Sequence, residues 1–209
     1  MARARSDASS IARSRRSNRA EVGHPFDARP VIVAIAGPNG AGKSTFYEAF
    51  VRQVGLRFIN ADDIARSLDI DAYDAAQLAQ ALRRQLVDQR ESFVFEAVFA
   101  DPHGAKVDFL VDAVQRGYAV VLCFIGLRSA SIADERVAMR VMQGGHDVPP
   151  DKIAARYPRS LANLRRAIAA LPFVWVYDNS DLNRPFHKVA EFEHGVLTRE
   201  YPPLPEWLS

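Results

Sequence analysis

A Gly-rich loop between an apolar run and a helical run constrains this chain more than any other feature. The loop, residues 37–45, reads Gly-Pro-Asn-Gly-Ala-Gly-Lys-Ser-Thr. This is G-x-x-x-x-G-K-S, a pattern whose backbone N–H groups turn inward around phosphate oxygens. Gly40 and Gly42 supply the conformational freedom that such a loop needs. Lys43 supplies a charge for the terminal phosphates of a nucleotide, and the Ser44 hydroxyl supplies a ligand for Mg²⁺. The predicted nucleotide-binding residues are Gly37, Pro38, Asn39, Gly40, Ala41, Gly42, Lys43, Ser44 and Thr45.

The pattern of the remaining chain predicts an α/β fold. Apolar strand-like runs alternate with segments of helical periodicity, which is typical of a parallel sheet sandwiched by helices. We expect a P-loop NTPase domain with a helical lid and a C-terminal β-hairpin. The predicted strands are 31–36, 56–60, 93–99, 118–125 and 173–180; the helices are 46–54, 72–89, 106–116, 130–142 and 151–171; the hairpin is 187–193 with 196–200.

Composition limits the class of protein further. The chain has 209 residues, of which 48% are hydrophobic, as in an ordinary globular domain with tails. Its single cysteine, Cys123, lies in an apolar run and is interpreted as a core residue. No disulfide can form within the chain and no apolar run has membrane-spanning length, so the sequence predicts a cytoplasmic protein without a membrane partner.

The charge is unevenly distributed. Residues 1–30 contain seven arginines and three acids, a net charge of +4, so the rest of the chain carries −2 of the total +2. Residues 1–29 are predicted to be a disordered basic tail, and 30–209 to be the folded domain. A tail that binds nucleic acid is the alternative, but a solvated extension is the interpretation that the composition favours.

Carboxylates follow or interrupt two of the predicted strands. Asp62 and Asp63 come just after the second strand, and either could accept a proton from an acceptor hydroxyl. Glu96 interrupts an almost wholly apolar strand, where a lone carboxylate is costly unless it is paired. It is either the buried partner of an arginine or a group beside Mg²⁺ or substrate, and the second interpretation is favoured.

Arginines flank the Gly-Gly break that separates the two later helices. Arg136 and Arg140 lie one turn apart before the break, and Arg156 follows it. They could form part of a lid that closes over phosphates and excludes water. A solvated basic face is the alternative.

Several functions remain open from these residues. No Walker B motif in the manner of a motor ATPase stands beside the loop strand, which favours a small-molecule kinase. The acceptor could be a sugar, a nucleoside or an antibiotic. A nucleotide-binding switch without much turnover is a further alternative.

Beyond these residue arguments, six segments together resemble the zeta-toxin family of P-loop kinases, specifically a short subgroup with a Gly-Gly-His lid motif. They are Ala-Gly-Pro-Asn-Gly-Ala-Gly-Lys-Ser-Thr, Phe-Ile-Asn-Ala-Asp-Asp-Ile-Ala, Phe-Glu, Arg-Val-x-x-Gly-Gly-His-Asp-Val-Pro, Arg-Tyr-Pro-Arg-Ser-Leu-x-Asn-Leu and Tyr-Asp-Asn-Ser. The resemblance covers roughly residues 30–209.

The resemblance implies an activity and a partner. Zeta toxins phosphorylate the 3′-hydroxyl of UDP-N-acetylglucosamine with ATP or GTP and Mg²⁺, and a helical antitoxin protein blocks their nucleotide site. By position, Asp62 matches the catalytic base, Lys43 and Ser44 match the P-loop pair, and Glu96 matches a substrate-side carboxylate. Arg140 and Arg156 match the lid arginines. Catalytic roles are thus expected for Asp62, Lys43, Arg140 and Arg156, and acceptor binding for Asp62, Asp63, Glu96 and Arg136.

Overall fold

Seven strands form one sheet in the computed structural model, which describes residues 25–144 and 147–208. The strands are β1 (Val31–Gly37), β2 (Arg57–Ile59), β3 (Phe93–Val98), β4 (Ala119–Gly126), β5 (Phe173–Asp178), β6 (His187–Glu193) and β7 (Val196–Glu200). The helices are α1 (Lys43–Phe46), α2 (Ala61–Leu68), α3 (Ala72–Asp88), α4 (Ala105–Gln115), α5 (Ala130–Met142) and α6 (Pro150–Ala170).

The P-loop strand β1 lies at the centre of the sheet. The strand order is β2-β3-β1-β4-β5-β6-β7; the first five strands are parallel, β6 is antiparallel to β5, and β7 is antiparallel to β6. All of β1 is buried, and its side chains alternate between two hydrophobic cores. Ile32 packs with residues of α3, α4 and α6, while Val33 packs with residues of α1 and α5. Burial of both faces explains the continuous apolar run, and the predicted sandwich is confirmed.

Local signals define several elements at their predicted bounds. The Ser129 side chain accepts a hydrogen bond from the backbone N–H of Ile132 (3.3 Å), so α5 begins where its capping residue predicts. The β6–β7 hairpin turns at His194 and Gly195, both of which have positive φ. This is the backbone that a two-residue turn between twisted strands requires, and the predicted hairpin is confirmed.

The helix after the loop differs from the regular one that the sequence predicts. It begins at Lys43, three residues early, continues as a π-helical turn (Tyr47–Val51) and ends in a 3₁₀ turn (Arg52–Val54). The early start follows from Gly42, whose carbonyl accepts the first helical hydrogen bond, from the Phe46 N–H at 2.8 Å.

Some predicted segments lie outside the described residues. Residues 1–24, most of the predicted tail, are among them, as are Gly145 and His146 of the predicted lid. Pro25–Asp27 forms a 3₁₀ turn, and the Phe26 ring lies 5.2 Å from that of Trp175, so these three residues pack on the sheet. Among the described helices, none combines the length and apolar character that crossing a bilayer requires.

Candidate active site

Close packing of backbone on backbone shapes the loop after β1. A Cβ atom on Gly37 would lie 2.1 Å from the carbonyl oxygen of Ile125, so only glycine lets β1 end this close to β4. Gly42 has φ of +84°, a conformation that side-chain-bearing residues rarely adopt. These two glycines let the chain turn from the end of β1 into α1, which begins at Lys43.

Lys43, Ser44 and Glu96 form the polar centre of the site. The Lys43 ammonium group is buried, donates to the Pro38 carbonyl (2.9 Å) and lies 4.0 Å from Glu96 Oε1. The Ser44 hydroxyl donates to Glu96 Oε2 at 2.7 Å. Burial lowers the pKa of Lys43, and the carboxylates of Glu96 and Asp62 oppose this shift. Glu96 therefore balances the loop lysine and holds the loop serine.

The surroundings of Glu96 decide between the two sequence interpretations of this residue. Glu96 lies opposite Ile35 of β1, on the strand beside the P-loop strand. Its described contacts are with Lys43, Ser44 and Asn60, and none of them is with an arginine. The carboxylate thus lies beside the loop lysine and serine, and it is not the ion-pair partner of an arginine among the described residues.

Asn60 connects the second strand to this centre. Its Oδ1 accepts a hydrogen bond from the Asp62 N–H (2.8 Å) and caps α2, while its Nδ2 donates to Glu96 Oε2 (3.1 Å). Because the asparagine is buried, both bonds contribute to holding α2 in place. The cap also ends β2 at Ile59, one residue before the predicted bound.

Two cavities of about 820 Å³ each open beside this centre and share Asn60, Asp62 and Ala72. The first, the P-loop cavity, is lined by residues that include Ser44, Tyr47, Phe58, Asp63, Arg66 and Arg140. The second, the α3–α4 cavity, is lined by residues that include Gln80, Arg83, Glu96, Lys106, Phe109 and Arg156. A phosphate donor at the loop and an acceptor in the α3–α4 cavity would therefore meet near Asp62.

The structure distinguishes the two adjacent aspartates. Asp62 is exposed to both cavities, whereas Asp63 lines the P-loop cavity and forms an ion pair with Arg66 of the next helical turn. Asp62 is therefore the one of the two adjacent aspartates that faces both cavities.

The three predicted arginines lie in different places. Arg140 lines the P-loop cavity and Arg156 lines the α3–α4 cavity, so the two helices deliver one arginine to each. Arg136 instead packs against the loop at Gly40 and donates to the Ser180 carbonyl (3.3 Å). Burial lowers the pKa of Arg136, and the carboxylate of Asp178 opposes that shift. Its surroundings suit a contact on the outer side of the loop better than one with the acceptor.

The Tyr-Asp-Asn-Ser segment at the end of β5 supports the loop from the other side. Asn179 is buried; its Nδ2 donates to the Ala41 carbonyl (2.9 Å) and its Oδ1 accepts from the Phe186 N–H (3.1 Å). Ser180 Oγ accepts from the Arg128 N–H at 2.8 Å. The segment therefore fixes the P-loop to the ends of β4 and β5.

Comparison with known proteins identifies the family. The family described as Zeta toxin matches residues 16–190, more than half of the chain. The chain belongs to the zeta toxin family. A protein of Haemophilus influenzae described as uncharacterized is 28% identical over 130 residues, which are 60% of this chain and 91% of that protein.

Solved structures share the fold of this zeta toxin family member. The PezAT toxin-antitoxin system of Streptococcus pneumoniae contains a chain that is 14% identical, with a TM-score of 0.54 over 87% of this chain and 76% of that chain. A chain of the AvrRxo1-ORF1:AvrRxo1-ORF2 complex with sulphate ions is also 14% identical, with a TM-score of 0.54 over 82% of this chain. The match spans 61% of that longer chain. The chain has the zeta toxin-like P-loop kinase fold, and the family supports a phosphotransferase.

Sequence reasoning missed two residues of this zeta toxin site. Asn60 was part of the recognised segment but had no assigned role, although an asparagine directly before a helix is a capping signal. Asn179 was part of a family segment, and no local pattern relates it to Ala41, 138 residues away. Asn60 holds Asp62 and Glu96, and Asn179 holds Ala41 of the loop, through hydrogen bonds that depend on strand order.

Proposed function

We propose that this zeta toxin family member transfers the γ-phosphate of ATP or GTP to a hydroxyl group of a small acceptor. The acceptor that the family resemblance implies is UDP-N-acetylglucosamine, at its 3′-hydroxyl. The observation that carries the proposal is the position of Asp62, where the P-loop cavity and the α3–α4 cavity meet. An AvrRxo1-ORF1:AvrRxo1-ORF2 structure is described as containing ATP, which supports a nucleotide donor.

In the proposed reaction, Asp62 accepts the proton of the acceptor hydroxyl as its oxygen attacks the γ-phosphorus. The bond from the γ-phosphorus to the β,γ-bridging oxygen breaks, and the nucleoside diphosphate leaves. Lys43 and Arg140 lie beside the loop, where their charges would stabilise the transferred group. Arg156, on the acceptor side, would orient the acceptor.

The oxygen atoms beside the loop fit a magnesium ion. Ser44 Oγ and Glu96 Oε2 are 2.7 Å apart, and hydroxyl and carboxylate oxygens are ligands that Mg²⁺ accepts together with phosphate oxygens. Ser44 and Glu96 are the residues that would hold the ion. When bound, it would neutralise charge on the β- and γ-phosphates.

An antitoxin protein is the proposed macromolecular partner. PezAT is a toxin-antitoxin system and AvrRxo1-ORF1 is found with ORF2, so relatives of this fold are paired with second proteins. A protein that covers the P-loop would prevent nucleotide binding.

Phosphoryl transfer tests the function directly. Purified protein with Mg-ATP is offered UDP-N-acetylglucosamine and a panel of sugars, nucleosides and antibiotics, and products are read by mass spectrometry. Asp62→Ala should lower turnover about 10²- to 10⁴-fold because a general base is lost. Asp63→Ala, the matched control one residue away, should stay within about threefold because it removes a carboxylate already paired with Arg66.

The possible outcomes of this assay test separately the base, the acceptor and the reaction. Near-normal turnover of Asp62→Ala would remove the proposed base, and a large loss in Asp63→Ala alone would transfer that role to Asp63. Transfer to another member of the panel would change the acceptor and keep the reaction. Nucleotide binding without transfer to any acceptor would favour a switch.

A further inference from the structure

Arg83 lies in the α3–α4 cavity without a carboxylate to balance it. Its guanidinium carbon is 4.9 Å from the centre of the Phe95 ring. That contact fixes the side chain without neutralising its charge. Among the described residues, no carboxylate oxygen comes within the 4.0 Å of an ion pair with Arg83, even though Asp112 lines the same cavity.

Two acids on the cavity wall form ion pairs with other cations. Asp101 pairs with Lys106 at 3.5 Å, and Asp108 pairs with Arg166 at 2.8 Å. Glu96 accepts hydrogen bonds from Ser44 and Asn60, as described above. Asp62 and Asp112 line the same wall, and among the described residues neither they nor the paired carboxylates form an ion pair with Arg83, so its positive charge is left for a ligand.

A second cation adds to the positive charge of this wall. Arg84, the next residue of α3, also lines the cavity. Burial lowers the pKa of Arg83 to about 10, and Arg84 acts in the same direction. An arginine remains charged at neutral pH even so, and a buried cation with a like charge beside it is stabilised by an anion.

The distance from Arg83 to the point where the two cavities meet gives the length that the ligand must span. It lies eleven residues along α3 from Ala72, where the two cavities meet, or about 16 Å along the helix axis. The planar fork of a guanidinium matches the oxygens of phosphate and carboxylate groups. We infer that Arg83 forms an anion subsite of the acceptor cavity, so that the acceptor carries a phosphate or carboxylate group at a distance from the hydroxyl that is phosphorylated. This inference rests on the proposed function, since it assigns the α3–α4 cavity to the acceptor.

Matched sugars that differ only in an anionic group test the subsite. The protein is saturated with magnesium and a non-hydrolysable ATP analogue, which occupies the P-loop. Calorimetry then measures binding of N-acetylglucosamine, its 1-phosphate, N-acetylmuramic acid and UDP-N-acetylglucosamine. The 1-phosphate carries a phosphate group and N-acetylmuramic acid carries a carboxylate, so comparing their affinities shows which anion the subsite prefers.

We expect the wild-type protein to bind at least one anionic sugar about tenfold to a hundredfold more tightly than the neutral sugar. Arg83→Gln should abolish that preference, and Arg83→Lys should retain part of it because the charge stays. Arg159→Gln, which changes an exposed arginine of α6, should behave as the wild type. Affinities for the ATP analogue and the neutral sugar should be equal in all four proteins.

Two results would overturn the subsite: no preference for any anionic sugar in the wild type, or an undiminished preference in Arg83→Gln. The wild-type comparison holds even where a variant folds poorly. A transfer assay on the same sugars separates this inference from the reaction. Arg83-dependent binding without phosphorylation would keep the subsite and remove the proposed reaction. Phosphorylation that is independent of Arg83 would keep the proposed reaction and remove the subsite.

Discussion

Replacing Asn179 by alanine should both destabilise the domain and weaken nucleotide binding. The buried side chain bonds the Ala41 carbonyl at 2.9 Å and the Phe186 N–H at 3.1 Å. Alanine would leave a buried acceptor and a buried donor unpaired, at about 1–3 kcal/mol for each group. The free energy of unfolding should therefore fall by about 2–6 kcal/mol.

The effect on the nucleotide follows from the loop itself. Ala41 lies inside the phosphate-binding segment, so freeing its carbonyl lets the surrounding N–H groups reorient before a ligand binds. A loss of pre-organisation of about 1.4 kcal/mol raises the dissociation constant of an ATP analogue about tenfold. Urea unfolding measures the first quantity and calorimetry the second.

Asn163 is a matched control for this substitution. It is equally buried, and its Nδ2 donates to the carbonyls of Phe99 and Asp101, each at 3.0 Å. Asn163→Ala should cost a similar free energy of unfolding while leaving nucleotide affinity unchanged, because these carbonyls lie at the end of β3 and beyond it. Equal nucleotide affinities in the two variants would refute the proposed role of Asn179.

Two further predictions concern Glu96 and Cys123. Glu96→Gln keeps a hydrogen-bond acceptor beside Ser44 but removes the charge, so transfer should require about tenfold more magnesium. An unchanged magnesium titration would rule out a ligand role. Burial raises the pKa of Cys123 to about 12, so only about one molecule in ten thousand carries the thiolate at pH 8. A thiol reagent should therefore label the protein only after urea unfolding; rapid labelling of the folded protein would show that the thiol is accessible.

The elements that the sequence predicts are those with local causes. The Gly-rich loop, the Ser129 cap of α5 and the His194-Gly195 turn each depend on residues within a few positions of one another. The short helix α2 was not predicted, although Ala61, Ile64, Ala65 and Leu68 recur at helical spacing, because eight residues are a short window for that pattern. The π-helical turn after α1 was not predicted either, since its conformation depends on packing.

The roles of the candidate site residues stay predictions, but part of their arrangement follows from the sequence. Residue patterns singled out the Gly-rich loop, the Asp62-Asp63 pair and Glu96, and the structure brings them to one end of the sheet. The sequence left open which of two aspartates is exposed to both cavities and which arginine lies at which cavity. Arg136 and Arg140 are one turn apart on α5, yet one contacts Gly40 and Ser180 while the other lines the P-loop cavity.

The sequence by itself determined the P-loop, the alternation of strands and helices, and the family. Tertiary structure decided that Glu96 meets Ser44 across 52 residues, that Asn179 holds Ala41 across 138, and that Arg83 lies in a cavity without a carboxylate partner. The physical reason is the separation along the chain between the residues that make each kind of contact. Caps, turns and periodicity depend on neighbours along the chain, whereas these contacts depend on the order in which β2, β3, β1, β4 and β5 lie side by side.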